Sequence, residues 1–137
     1  MSVPFDVPAE VAFDFLVDPA NRPLWQSSLR RVEDVVPAEP GVGQTWTDVT
    51  VPGMRPAMET TSLERPSRWT ERGRWRRVSA ELTLLVVPTA GGCLVTADAS
   101  VRGLGLAGAL VTRLAPYAVA ADLKRAARIL SERAAEK

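Results

Sequence analysis

The chain has 137 residues, a length typical of one domain with a substantial hydrophobic core. Its 17 basic and 16 acidic residues give a net charge of +1, so bulk charge attracts neither nucleic acid nor an anionic membrane. One cysteine and no histidine exclude an intrachain disulfide and the commonest metal sites, and leave no imidazole for acid–base catalysis.

The first 30 residues predict an opening strand followed by two short helices. Pro8 suits the first turn of a helix, where its missing N–H costs nothing, and Phe15 and Leu16 continue a helical pattern. Asp18 is a natural N-cap for a second helix that begins at Pro19. Because this second helix is too short to be stable alone, we expect it to pack on a larger element.

The pattern then changes to a period of two, and turn-rich segments separate the strands. The predicted strands are 30–36, 45–51, 55–63, 69–72, 78–87 and 93–101. Their short connections favour antiparallel neighbours. We expect the opening strand, residues 3–7, to pair with residues 93–101.

The remainder of the chain predicts one long helix. Apolar residues recur at spacings of three and four from about residue 106 to residue 135, including Leu110, Leu114, Leu123 and Leu130. Pro116 lies inside this pattern, and we expect it to kink the helix or to end its first segment.

These elements predict an α+β fold: a curved antiparallel sheet of about seven strands, with two short helices after strand 1 and a long C-terminal helix packed over the concave face. Three stretches are characteristic: Pro8-Ala9-Glu10-Val11 leading to Phe15-Leu16; Asp18-Pro19 with Asn21, Pro23 and Trp25; and Leu63-Glu64-Arg65-Pro66-Ser67-Arg68-Trp69. With them the chain resembles the helix-grip fold of the START/Bet v 1-like (SRPBCC) superfamily, in particular its bacterial polyketide cyclase/dehydrase-like members. The resemblance implies one domain over residues 1–137, which binds lipids, sterols, polyketides or other apolar molecules, and in some members cyclises aromatic rings.

Residues 103–108 match the GxGxxG pattern of dinucleotide-binding folds. Such a site also needs a following strand with an acidic residue about 20 positions further on, whereas this chain stays helical to its end. We interpret the glycines as a flexible, closely packed start of the helix, and we expect no cofactor and no metal.

Arginines interleave with tryptophans between residues 68 and 77, which superficially resembles a nucleic-acid surface. Strand alternation puts Arg68 and Arg72 on the face opposite Trp69. We therefore expect an arginine-lined outer face, a tryptophan-lined inner face and no nucleic-acid partner.

Glu71 shares the face of Trp69, so the pattern directs its carboxylate into the interior. A desolvated carboxylate beside an indole is suited to act as an acid, a base or a ligand anchor. The alternative is that Glu71 pairs with an arginine or lies at the wet end of the strand. Tyr117, which follows Pro116, either presents its hydroxyl to a cavity or lies half-buried with a solvated tip.

We predict that the protein binds a mostly apolar small molecule between the sheet and the C-terminal helix. Two alternatives remain: a cofactor-free cyclase or dehydratase of a polyketide-like substrate, with Glu71 and Tyr117 as weak catalytic candidates, and a protein-interaction module. The predicted ligand-binding residues are Trp69, Glu71, Leu82, Leu84, Val95, Ala97, Leu110, Leu114 and Tyr117.

No run approaches the roughly 20 apolar residues of a membrane span, and the N-terminus lacks a signal-peptide pattern. We therefore expect a cytoplasmic protein, and either a monomer or a homodimer fits the sequence.

Overall fold

The structure, a computed structural model, describes residues 1–136. Seven strands form one antiparallel sheet in the order β1-β7-β6-β5-β4-β3-β2. The strands are β1 Ser2–Phe5, β2 Leu29–Val36, β3 Thr45–Thr50, β4 Ala57–Glu64, β5 Arg68–Trp75, β6 Val78–Thr89 and β7 Gly92–Arg102. The helices are α1 Ala9–Val17, a 3₁₀ turn Pro19–Asn21, α2 Arg22–Trp25 and α3 Leu106–Ala135. The predicted fold class is confirmed, including the antiparallel pairing of β1 with β7.

The sequence signals at the start of the chain act as predicted. Pro8 directly precedes α1, and its carbonyl accepts the Ala12 N–H at 3.1 Å. The Asp18 carboxylate accepts the Ala20 N–H at 3.0 Å and so caps the 3₁₀ turn. Pairing with β4 and β6 is continuous through Gly73, so β5 extends to Trp75 rather than ending near Arg72 as predicted.

The core lies between the inner face of the sheet, which carries Trp69 and Leu84, and the helices α1 and α3. It is one cluster that includes side chains from β1, α1, α2, β3 to β7 and the second half of α3. Its largest fully buried apolar side chains are Trp25, Trp69, Phe13, Leu16, Leu84 and Leu123. Burial of apolar surface at about 25 cal/mol per Å² makes this cluster the main source of stability.

Helix α3 runs from Leu106 to Ala135 through Pro116, so Pro116 does not end its first segment, and the kink that was the other expectation stays a prediction. A proline inside a helix costs about 3 kcal/mol, but the packing of buried Leu123, Ala126 and Leu130 after it outweighs this local cost. The part before Pro116 is held differently. The Thr112 hydroxyl accepts the Val101 N–H at 2.9 Å and donates to the Val101 carbonyl at 3.3 Å. Within residues 1–136, no helix combines the length and the apolar character that crossing a membrane requires.

The glycines of the GxGxxG segment serve the chain path between β7 and α3. Gly103 has a φ of +96°, and a Cβ there would lie 2.1 Å from the Arg77 carbonyl oxygen. A side chain at this position is therefore impossible without moving the β5–β6 hairpin. No strand follows α3 in the described residues, so the βαβ frame of a dinucleotide site is missing.

Candidate functional site

An apolar pocket opens at the end of the inner face where β5 turns into β6. Its volume is about 320 Å³, at the lower end of the range for small-molecule sites. The lining side chains carry no charge, and they come from the β3–β4 loop, from β4 to β6 and from the loop before α3. They are Met54, Pro56, Met58, Gly73, Trp75, Val78, Ala80 and Leu104.

Strand register explains the floor of this pocket. Met58, Gly73 and Ala80 are direct cross-strand partners, so they form one row across β4, β5 and β6 on the inner face. A Cβ on Gly73 would lie 2.7 Å from the Met58 Sδ. The missing side chain of Gly73 thus leaves the space that the Met58 thioether fills beside the cavity.

The next inward-facing row, about 7 Å further along the strands, carries charge. It contains Thr60, Glu71 and Leu82, of which Thr60 and Glu71 are buried. Arg22, which is 1% exposed, donates to both Glu71 carboxylate oxygens, from Nη1 to Oε2 at 2.6 Å and from Nη2 to Oε1 at 2.9 Å. This bidentate geometry is the strong form of an ion pair.

Further contacts fix the Arg22 guanidinium in place. Its Nε donates to the Gln26 Oε1 at 2.7 Å, and its Cζ lies 5.4 Å from the Trp25 ring centroid and 5.6 Å from that of Trp69. Burial lowers the pKa of Arg22, but the charge and hydrogen bonds of Glu71 outweigh this effect, and the net direction is upward. Arg22 therefore stays charged inside the molecule.

Asp48 is a second buried carboxyl group in the same region. It is 4% exposed and accepts the Trp46 indole N–H at 2.9 Å. Burial raises the pKa of Asp48 to about 6, although the charge of Arg22 and the Trp46 hydrogen bond act in the opposite direction. The backbone N–H of Asp48 bonds to the carbonyl of Pro56, so Asp48 is the cross-strand neighbour of a residue that lines the pocket.

The arrangement offers an apolar pocket with ionisable groups further along the same inner face of the sheet. The pocket itself contains no proton donor or acceptor side chain, whereas Asp48 is able to change protonation near neutral pH. Within residues 1–136, no group of three or more His, Cys, Asp or Glu side chains is placed to hold a metal ion.

The structure distributes the sequence-predicted site residues over three environments. Buried in the core are Trp69, Leu84, Val95 and Ala97; Glu71 is buried in its ion pair, and Leu82 is half-buried beside it. Leu110, Leu114 and Tyr117 on α3 are exposed, at 59%, 55% and 62%. None of the nine lines the 320 Å³ pocket. The two weak catalytic candidates also lie in different surroundings, because Glu71 is buried and Tyr117 faces solvent.

Sequence reasoning missed two charged residues of the cluster, Arg22 and Asp48. Asp48 lies two residues after Trp46 on one strand, so alternation places both on the inner face, and this signal was available. Arg22 lies in the four-residue helix α2, where no periodicity shows which side is buried.

Comparison with solved structures shows the same fold in several bacterial proteins. A protein from Mesorhizobium loti superposes with a TM-score of 0.76 at 14% identity, over 96% of this chain and 95% of that protein. A protein from Deinococcus radiodurans gives a TM-score of 0.63 at 23% identity, over 93% of this chain and 92% of that protein. The di-domain ARO/CYC StfQ from the steffimycin biosynthetic pathway gives a TM-score of 0.76 at 14% identity, over 98% of this chain and 50% of StfQ.

Comparison of the sequence with curated proteins finds no significant match. Residues 1–135 do match a family described as polyketide cyclase / dehydrase and lipid transport. This match covers nearly the whole chain and agrees with the resemblance seen in the sequence. The chain belongs to the polyketide cyclase/dehydrase and lipid transport family.

Proposed function

We propose that the protein binds a mostly apolar small molecule at the open end of the inner face, between the sheet and α3. The observation that carries this proposal is the 320 Å³ pocket with its uncharged lining of methionine, tryptophan, proline and aliphatic side chains. A preformed concave surface of this kind favours an apolar ligand, because burial contributes about 25 cal/mol per Å². Membership of a family that includes lipid transport supports the same function.

Helix α3 supplies the candidate second wall of the site. Leu104 lines the pocket, and Leu110 and Leu114 follow in the first turns of α3 with exposed side chains. Exposed leucines at a spacing of four cover one stripe of a helix. The ligand-binding roles of Leu110, Leu114 and Tyr117 remain predictions of this proposal.

A filled-pocket variant tests the proposal. Ala80→Trp places an indole on the pocket floor, whereas Ala57→Trp is a matched change on the outer face, where Ala57 pairs with Arg74. We expect the neutral dye N-phenyl-1-naphthylamine to bind the natural protein saturably. Affinity should fall at least about tenfold in Ala80→Trp and stay unchanged in Ala57→Trp. Thermal melts of both variants check that they fold.

Two results contradict the proposal: no saturable binding by the natural protein, or undiminished binding by folded Ala80→Trp. The first result favours the interaction-module alternative, for which exposed Leu110, Leu114 and Tyr117 are the candidate surface.

A cofactor-free cyclase or dehydratase is the second candidate function, and Asp48 is the observation that favours it. A carboxyl group with a pKa of about 6 exchanges protons near neutral pH, and Asp48 is the cross-strand neighbour of the pocket residue Pro56. If the protein turns over an aromatic polyketide substrate, Asp48→Asn should lower turnover by roughly 10²–10⁴ and leave the affinity for the dye unchanged. Equal turnover by the variant would exclude a role for Asp48 in proton transfer.

A further inference from the structure

The segments that form the pocket contain arginine but no acidic residue. Residues 54–58, 73–80 and Leu104 supply its lining, and these stretches hold four arginines and no aspartate or glutamate, although Glu59 and Glu81 follow them directly. Arg55 pairs with Glu33. The other three, Arg74, Arg76 and Arg77, make no salt bridge in the part of the chain that the structure describes, and all three are exposed.

Two of these arginines sit at the pocket edge itself. Arg76 and Arg77 form the turn between Trp75 and Val78, which both line the cavity. The Arg76 Cζ lies 4.6 Å from the Trp75 ring centroid, so its guanidinium stacks on a pocket wall. The Arg77 carbonyl is in close contact with Gly103, which brings the turn against the loop that carries Leu104.

The outer face shows a different charge pattern. There Arg72 lies between its cross-strand partners Glu59 and Glu81, so positive and negative charges alternate across three strands. Such alternation is typical of a solvated sheet surface. At the turn beside the apolar cavity, by contrast, Arg76 and Arg77 have no salt-bridge partner, so their positive charge attracts anions.

We propose that the ligand is an amphiphile with one anionic head group, whose apolar tail occupies the Met58–Trp75 pocket and whose head lies beside Arg76 and Arg77 at the rim. This inference rests on the proposed binding function and specifies the class of ligand. Carboxylate, phosphate and sulfate heads all accept hydrogen bonds from a guanidinium. Because the rim is exposed, the head group contributes less than the tail, and its contribution decreases with salt.

Three probes of equal chain length separate tail binding from head recognition: decanoate, decanol and decyltrimethylammonium. Calorimetric titration at low salt should give decanoate an affinity roughly fivefold above that of decanol, with decyltrimethylammonium weakest. The preference for decanoate should shrink in 0.5 M NaCl. The double variant Arg76→Asn/Arg77→Gln should remove it and leave decanol binding unchanged. Asn suits position 76 because the φ there is +56°.

The matched control is Arg125→Gln/Arg128→Gln, which removes the same charge from α3 near the opposite end of β6. Arg128 lies beside Thr89 and Gly91, whereas the pocket is at Val78. The control should bind decanoate like the natural protein. The proposed head-group site is wrong if decanoate and decanol bind the natural protein with equal affinity. It is also wrong if both double variants lose the same share of decanoate affinity. In either case the binding of apolar molecules stands.

A different failure separates this inference from the proposed function. If none of the three probes binds and the neutral dye also fails, then the binding function itself is wrong. If the protein binds vesicles of anionic phospholipid but not decanoate, the arginines recognise a membrane surface and the proposed monomeric ligand is excluded.

Discussion

Arg22 and Glu71 place a full positive and a full negative charge inside the molecule, each at least 94% shielded from solvent at the side chain. Removal of either charge from water is costly, and the bidentate contact offsets the cost only while both partners are present. Glu71 therefore acts as the counter-ion that keeps Arg22 in place. The interpretation of Glu71 as a residue paired with an arginine agrees with this geometry, since both carboxylate oxygens accept from the guanidinium.

We expect Glu71→Gln to lower the free energy of unfolding by about 3 kcal/mol, because it leaves the Arg22 charge buried without a partner. The double variant Arg22→Met/Glu71→Leu should recover most of this loss, since neither charge then remains. Urea denaturation, monitored by tryptophan fluorescence, measures the unfolding free energy of both variants. Asp14→Asn, which breaks the exposed Arg65–Asp14 pair, is the control and should move the midpoint little. A midpoint for Glu71→Gln equal to that of Asp14→Asn would contradict the structural role of the pair.

Asp48 gives the protein a pH dependence of known sign. Its pKa rises from 3.8 to about 6 on folding, so the folded state holds the proton more tightly than the unfolded state. Stability from this group is therefore present below pH 4 and is lost as the pH rises through 6. The shift corresponds to about 3 kcal/mol at 1.36 kcal/mol per unit.

Asp48→Asn isolates this effect, because asparagine cannot ionise and still accepts the Trp46 N–H. We expect the difference in unfolding free energy between variant and natural protein to change by about 2 kcal/mol in favour of the variant between pH 4 and pH 7, the rest of the effect lying outside this range. Urea titrations of both proteins at several pH values measure this difference. Other carboxylates, such as Asp14, whose pKa is lowered by Arg65, affect both proteins equally, so their contributions to the pH dependence cancel in the difference. A difference that does not vary with pH would show that Asp48 titrates at its ordinary value.

At the scale of elements, α3 consists of two unlike halves. After Pro116 its apolar stripe is buried through Leu123, Ala126 and Leu130, and before Pro116 Leu110 and Leu114 are exposed. The sequence could not separate them, because both halves have leucines at helical spacing and periodicity does not show which stripe has a partner.

Matched truncations in the two halves measure this difference. Leu123→Ala should cost about 2–5 kcal/mol, because it leaves a cavity in the core. Leu114→Ala should change the unfolding free energy by less than about 0.5 kcal/mol, since its side chain is 55% exposed. Denaturant titrations of both variants test this. Equal losses would mean that the first half of α3 is packed as firmly as the second.

At the scale of the whole molecule, one sheet and one core cluster connect the N-terminal strand to the C-terminal helix. We therefore expect a single cooperative unfolding transition, in which far-ultraviolet circular dichroism and tryptophan fluorescence give the same urea midpoint. Separate midpoints would contradict the proposal of one domain over the whole chain.

The architecture could be predicted from sequence because its signals are local. Alternation around Trp69 and Glu71, the cap at Asp18 and the short turns are all readable within ten residues. The site depends instead on contacts over long separations, such as Arg22 with Glu71, 49 positions apart. The position of the Met58 thioether beside the pocket depends on Gly73, whose role appears only when Met58 is placed across from it.

The hydroxyl of Thr112 also bears on how the protein avoids aggregation. The pairing of β7 with the N-terminal segment ends at Ala97, whose N–H donates to the Met1 carbonyl, so the last residues of β7 have no strand neighbour on this side and another chain could pair there. At Val101 both main-chain groups are already taken by Thr112. The first half of α3 thus covers the sheet edge at Val101, and loss of the Thr112 hydroxyl would leave both main-chain groups free to pair with a strand of another molecule.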